Sequence, residues 1–162
     1  MEPTRNDVGP HVVSYSITVE APADELYALV ADPHRHHEID GSSTVQSRAR
    51  GPLELSEGAA FSVQMRKFGL PYRLPLRVTQ ARRPSASAPG VVEWRQPTGH
   101  RWRWEFAPHD AATTLVTESY DAADQWTPAR SALKLANVPQ SNARNIRRSL
   151  LRMAQNFPST GT

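Results

Sequence analysis

Ser16-Ile17-Thr18-Val19-Glu20-Ala21-Pro22-Ala23-Asp24-Glu25-Leu26-Tyr27-Ala28-Leu29-Val30-Ala31-Asp32-Pro33 changes its hydrophobic period halfway along. Before Ala21 the apolar residues alternate. Val13, Tyr15, Ile17 and Val19 share one face and Ser14, Ser16, Thr18 and Glu20 the other, the mark of a half-buried strand. After Pro22 the period becomes helical, with Leu26, Leu29 and Val30 at i, i+3 and i+4. Pro22 suits a first helical turn, where its missing N–H costs nothing. Asp24 and Glu25 follow where the helix dipole favours carboxylates. Pro33 stops the helix, and His34 to Ile39 add a short further turn before Gly41.

From Thr44 to about Tyr120 the chain reads as strands divided by turn chemistry. The segments are 45–50, 60–68, 74–81, 91–96, 101–107 and 114–120, joined by connections short enough to favour antiparallel hairpins. Pro75, inside one of them, marks an edge, a bulge or the true start of that strand. A last helix is expected from Gln140 to Phe157, with Ala143, Ile146, Leu150, Met153, Ala154 and Phe157 in one stripe. Thr127 to Val138 reads as a shorter lead-in helix. Residues 1–10 read as a flexible N-terminal arm, and 11–158 as a single α+β domain whose sheet is covered on one face by helices.

Composition narrows the chemistry. The chain has 162 residues and no cysteine, which removes disulfides, thiolate nucleophiles and cysteine-bearing metal sites. The N-terminal residues lack a basic and then apolar secretory pattern, and no apolar run reaches membrane-spanning length, so the expectation is a soluble cytoplasmic protein. The net charge is +3 and unevenly spread: eight acids lie in the first 40 residues, and none follows Asp124. Arg130, Lys134, Arg144, Arg147, Arg148 and Arg152 make the C-terminal region basic. This charge is read first as a solvated helix face, and nucleic acid is not the expected partner. The chain is compatible with a homodimer.

The Ile17-x-Val19-x-Ala21-Pro22 entry, the Asp32-Pro33 exit, the long strand run and the final helix together resemble the START-like, or SRPBCC, helix-grip superfamily. That superfamily includes the polyketide cyclase/dehydrase-type proteins. The resemblance spans roughly Val12 to Phe157 and rests on the order of elements. It implies a bent antiparallel sheet of about six or seven strands wrapped around a long C-terminal helix, with two short helices after the first strand. It also implies a cavity for an apolar or aromatic small molecule. It carries over no catalytic motif.

Pleat parity suggests the cavity wall. In Arg101-Trp102-Arg103-Trp104-Glu105-Phe106 the aromatics share one face, and Trp94 follows the same pattern in the preceding segment. With Tyr15, and with Ile146, Leu150 and Met153 of the last helix, these tryptophans form the expected ligand-binding set. Core filling is the alternative use of the same side chains. His37, Glu118 and Tyr120 are the candidate proton carriers; Glu118, if turned inward, becomes a buried carboxyl with a raised pKa. His34, His36 and His37 with nearby carboxylates offer zinc-type ligands, but their spacing lacks the i, i+4 pair and remote third ligand, so no metal is assigned. No phosphate-binding glycine loop or nucleophile elbow occurs, and no cofactor is implied.

Three readings follow. The first is a carrier of a hydrophobic or aromatic molecule (lipid, polyketide or isoprenoid-like) between the sheet and the last helix. The second is a cyclase or dehydratase acting by substrate orientation and general acid/base catalysis. The third is an interaction protein that uses the basic helix face.

Overall fold

A computed structural model describes residues 1–158. The change of period at Ala21 produces the expected junction. Strand β2 (Val12–Val19) gives way to helix α1 (Ala23–Ala31), with Pro22 at the helix N-cap. Leu26, Leu29 and Val30 are fully buried. Asp32 closes α1 and then accepts from the His34 backbone N–H at 3.0 Å, starting a single 3-10 turn over Pro33–Arg35 that leads into α2 (His36–Ile39).

Six strands follow: β3 (Val45–Arg50), β4 (Ala60–Lys67), β5 (Leu70–Arg82), β6 (Gly90–Arg95), β7 (Arg101–Pro108) and β8 (Thr114–Asp121). Helices α3 (Thr127–Leu135) and α4 (Val138–Asn156) end the described chain. Asn137 separates them in a left-handed conformation (φ 61°), which asparagine tolerates better than most residues. With β1 (Thr4–Asn6), the strands form one eight-stranded antiparallel sheet in the order β1-β2-β8-β7-β6-β5-β4-β3. This is the helix-grip arrangement.

Two details depart from the sequence reading. Residues 4–6 fall in the segment expected to be a flexible arm, yet they pair with β2. Asn6 Nδ2 donates to Ser14 Oγ at 3.0 Å and to Ser16 Oγ at 2.8 Å. The strand count is therefore eight rather than six or seven. Strand β5 also starts earlier, at Leu70, because Phe68 and Gly69 both take positive φ and close a tight hairpin. Pro71 and Pro75 are accommodated because pairing of β5 with β6 begins only at Arg77. The part holding both prolines has a partner on one side alone, where a missing N–H leaves no ladder bond unmade.

Register places one continuous apolar face inward. Ile17 opposes Val116, Phe106 opposes Val116 across the next pair, Val92 opposes Trp104, and Val63 opposes Leu74. Against this face α4 buries Ile146, Leu150 and Met153 completely. It lies across β2 and β8 and touches α2. The contact with α2 is unusually close. A Cβ on Gly41 would stand 2.0 Å from the Asn145 carbonyl oxygen and 2.5 Å from the Ser149 backbone nitrogen. Gly41 N–H donates to Ser149 Oγ at 3.0 Å, and Arg152 reaches the Asp40 carbonyl and, at 2.9 Å, Ser43 Oγ.

Gly41→Ala is therefore expected to destabilise the fold by about 2 kcal/mol or more, as overpacking against an unyielding backbone does. Thermal unfolding checks this, and a variant that melts with the wild type would show that α4 is not held by this contact.

Candidate functional site

Between the inner sheet face and the N-terminal half of α4 lies an open cavity of about 500 Å³. That volume falls within the range of small-molecule sites. Its apolar wall comes from the sheet: Val63, Leu74 and Leu76 on β4 and β5, and Trp94, Trp102 and Trp104 on β6 and β7. The pairings Trp94–Trp102 and Trp102–Tyr120 place the aromatics side by side on neighbouring strands. Trp94 and Trp104 are 9% and 3% exposed, while Trp102 remains partly open. Lys67, Tyr72, Leu133 and Val138 add to the lining from the β4–β5 hairpin and the α3–α4 region, and His36, Asp40 and His100 also border it.

The opposite wall is polar. Ser141, Asn142, Asn145 and Ser149 of α4 face the cavity, while Glu118 and Tyr120 of β8 continue the sheet wall beside Trp104 and Trp102. Glu118 is 4% exposed, and its Oε2 has no hydrogen-bond partner. Burial, reinforced by the Asp40 charge and partly offset by the Ser149 hydroxyl, pushes its carboxyl well above the usual range. Asp40 is otherwise engaged: its two oxygens accept from the backbone of Ser42, Thr44 and Val45 at 2.8 to 3.0 Å.

His100 borders Tyr120, with ring centroids 5.0 Å apart, and its Nδ1 lies 3.0 Å from Thr98 Oγ1 and 3.1 Å from Gln125 Nε2. Burial lowers its pKa to about 4. Burial also raises the Tyr120 phenol, against a hydrogen bond from Gln125. His36 stacks on Trp94 at 5.0 Å and donates from Nε2 to the Val30 carbonyl at 2.8 Å. Since a carbonyl only accepts, Nε2 carries the hydrogen. Burial holds His36 below its usual pKa despite that bond.

The expected site residues separate accordingly. Trp94, Trp102, Trp104, Glu118 and Tyr120 come together on the cavity wall. Ile146, Leu150 and Met153 do not: they are fully buried in the core, and the polar stripe of α4 takes their expected place. Tyr15 pairs with Glu118, but it packs against the hydrophobic core and does not line the cavity. His37 is exposed. Successive helical residues diverge by about 100°, so when His36 turns inward His37 turns out. The three histidines point apart, with His34 held on Asp32 by Nδ1 at 3.0 Å. Among the described residues no cluster of three metal-ligating side chains forms.

The buried titratable groups give stability a predictable pH dependence. His36 and His100 have folded pKa values below the unfolded value of 6.5, so the unfolded chain takes up protons first. Their contributions are intact above that value and are lost as pH falls, that of His100 toward about 4, seen as a falling thermal midpoint that His100→Gln makes shallower. Glu118 acts in the opposite sense. Its folded pKa lies above the unfolded 4.5, so its contribution is intact below that pH and declines as pH rises. Glu118→Gln should then unfold at a higher temperature than wild type at pH 7 and lose the advantage near pH 4. An advantage that does not change with pH would show that Glu118 is not the group responsible.

A family model described as polyketide cyclase / dehydrase and lipid transport matches residues 10–158. Uncharacterized protein Rv0088 of Mycobacterium tuberculosis (strain ATCC 25618 / H37Rv) is 43% identical over 153 residues, covering 93% of this chain and 66% of the relative. The chain thus spans just under two thirds of that relative's length. Two solved structures share the fold at low identity. The di-domain ARO/CYC BexL of the BE-7585A biosynthetic pathway is 21% identical, with a TM-score of 0.62, covering 91% of this chain and 46% of that one. The Zhui aromatase/cyclase of Streptomyces sp. R1128 is 16% identical, with a TM-score of 0.58 and coverage of 93% and 97%. By element order, sheet topology and a match along nearly the whole described chain, this protein belongs to the polyketide cyclase/dehydrase and lipid transport family.

Proposed function

We propose that the protein binds a hydrophobic, aromatic small molecule in the cavity between the sheet and α4. The observation that carries this reading is the pairing of a tryptophan-lined wall with a facing stripe of uncharged hydrogen-bonding side chains, around about 500 Å³ of open space. Core packing alone would fill that space, because interiors leave few voids larger than a water molecule. Indole faces suit a planar occupant, and the amides of Asn142 and Asn145 suit its polar edge.

A second reading is favoured by one specific feature, the unpartnered Glu118 carboxyl. A cyclase- or dehydratase-type enzyme needs a positioned acid and little more, because orientation supplies much of the rate effect. Glu118 would give a proton, while Tyr120, two residues along the same strand and about 7 Å away, would orient or relay it. His37, exposed to solvent, has no part in this scheme. The basic helix face has less support: Arg147 pairs with Glu2 at 3.1 Å, and Arg152 is taken up in holding the α2 end.

Native mass spectrometry of freshly purified protein, followed by organic extraction, is expected to release an apolar or aromatic molecule. Trp102→Ala should weaken its rebinding about tenfold, an amount typical of one lost aromatic contact. Trp102 is the informative choice because Trp94 and Trp104 are also core residues, whose truncation costs about 3–5 kcal/mol of stability. Unchanged affinity in Trp102→Ala would remove the ligand from this wall. In the enzyme reading, Glu118→Gln abolishes turnover of the identified molecule while its binding survives.

A further inference from the structure

The cavity wall is unevenly charged in a way that constrains its occupant. Among the described residues that line it, the only lysine or arginine is Lys67, exposed at the β4–β5 hairpin. Glu118 lies deep, with Oε2 free of any partner. The groups packed around it offer no cation. Ser149 of α4 and the carboxylate of Asp40 from the turn after α2 act on it, Trp104 of β7 and Tyr15 of β2 pair with it across the sheet, and Asn142 and Asn145 of α4 line the same cavity.

Leaving a buried polar atom unpaired costs about 1–3 kcal/mol, so the atom is best explained by a group that arrives with the ligand. An anionic ligand would bring a like charge beside the Asp40 carboxylate, with no lysine or arginine lining the cavity except Lys67 at its rim. A carboxyl group held in its acid form has a hydrogen to give, and a ligand oxygen can take it.

We propose that the occupant is an uncharged planar molecule bearing a carbonyl oxygen, seated with that oxygen against the Glu118 carboxyl and its rings along Trp102 and Trp104. This rests on the reading of the cavity as a small-molecule site and adds the charge and polarity of what it admits. Free carboxylates, fatty acids included, are rejected. Glu118 supplies the hydrogen for the ligand carbonyl, while the Asp40 charge and the lack of a base deep in the lining exclude anions.

Equilibrium dialysis at pH 7 with four matched probes tests the proposal: naphthalene, acetylnaphthalene, naphthoate and naphthylmethylammonium. Acetylnaphthalene is expected to bind at least about tenfold more tightly than naphthalene or naphthoate, the worth of one buried hydrogen bond. Glu118→Leu should reduce acetylnaphthalene to the affinity of naphthalene and leave naphthalene unchanged. Glu118→Gln, whose amide still donates, should retain the preference. Naphthoate binding as well as acetylnaphthalene would overturn the proposal. Tightest binding of naphthylmethylammonium would identify Glu118 as an ionised counter-ion and overturn it equally. Failure of Glu118→Leu to weaken the ketone would do the same while the cavity reading stands. If all four probes fail to bind, naphthalene included, the cavity reading falls and this inference with it.

Discussion

The shape of the cavity depends on one close approach, that of the Gly41 backbone to α4. No side chain fits between them, so the end of α2 and the middle of α4 are in backbone contact. Gly41 N–H on Ser149, with Arg152 on the Asp40 carbonyl, fixes the helix at that level. From there toward its C-terminus α4 buries Ile146, Leu150 and Met153 and lies tight on the sheet. Toward its N-terminus the inward positions become Asn145, Asn142 and Ser141, which no apolar sheet surface attracts. The helix is pinned at its middle and unglued at its start, and the cavity occupies the unglued half. The same contact aligns Ser149, Asp40 and Glu118, so the polarity of the site derives from the constraint that creates its volume.

Much of this was legible in the sequence because a strand has period two. Parity put Trp94, Trp102 and Trp104 on one face and grouped Glu118 with Val116 and Tyr120 while leaving the direction of that face open, and the proline-marked junction around α1 gave the fold its beginning. What escaped was information carried across elements. Residues 4–6 are too short to show a period, and their strand is read only from its pairing with β2, which the Asn6 amide on Ser14 and Ser16 reinforces. The wheel of α4 identified its apolar stripe, but hydrophobicity marks what is buried rather than what borders empty space. The cavity side was written in Asn142, Asn145 and Ser149, at i, i+3 and i+7. These are uncharged polar residues on a helix whose charged positions are all arginine, a signal present in the chain. The choice between His36 and His37 needed the phase of a four-residue helix, which its sequence alone does not set. His100 had little local signal: Thr98 lies in the same turn, but Gln125 and Tyr120, which complete its surroundings, come from another part of the chain.

The site departs from the otherwise consistent pattern of the fold in one direction. Leucine at position 118 would complete the inner face, and a protein selected only for stability would gain by it, since a buried unpaired carboxyl opposes folding at neutral pH. Instead the chain holds that carboxyl between an indole wall and an amide stripe and keeps basic side chains away from it. Such an arrangement is stable only because the surrounding scaffold is secure elsewhere: β2 and β8 pair over eight residues and the C-terminal half of α4 is densely buried. The carboxyl's hydrogen is therefore most useful to a partner that is absent from the unfolded chain and from the empty fold. On that argument the cost at Glu118 is recovered only when the cavity is filled, which ties the stability of the protein to its occupant.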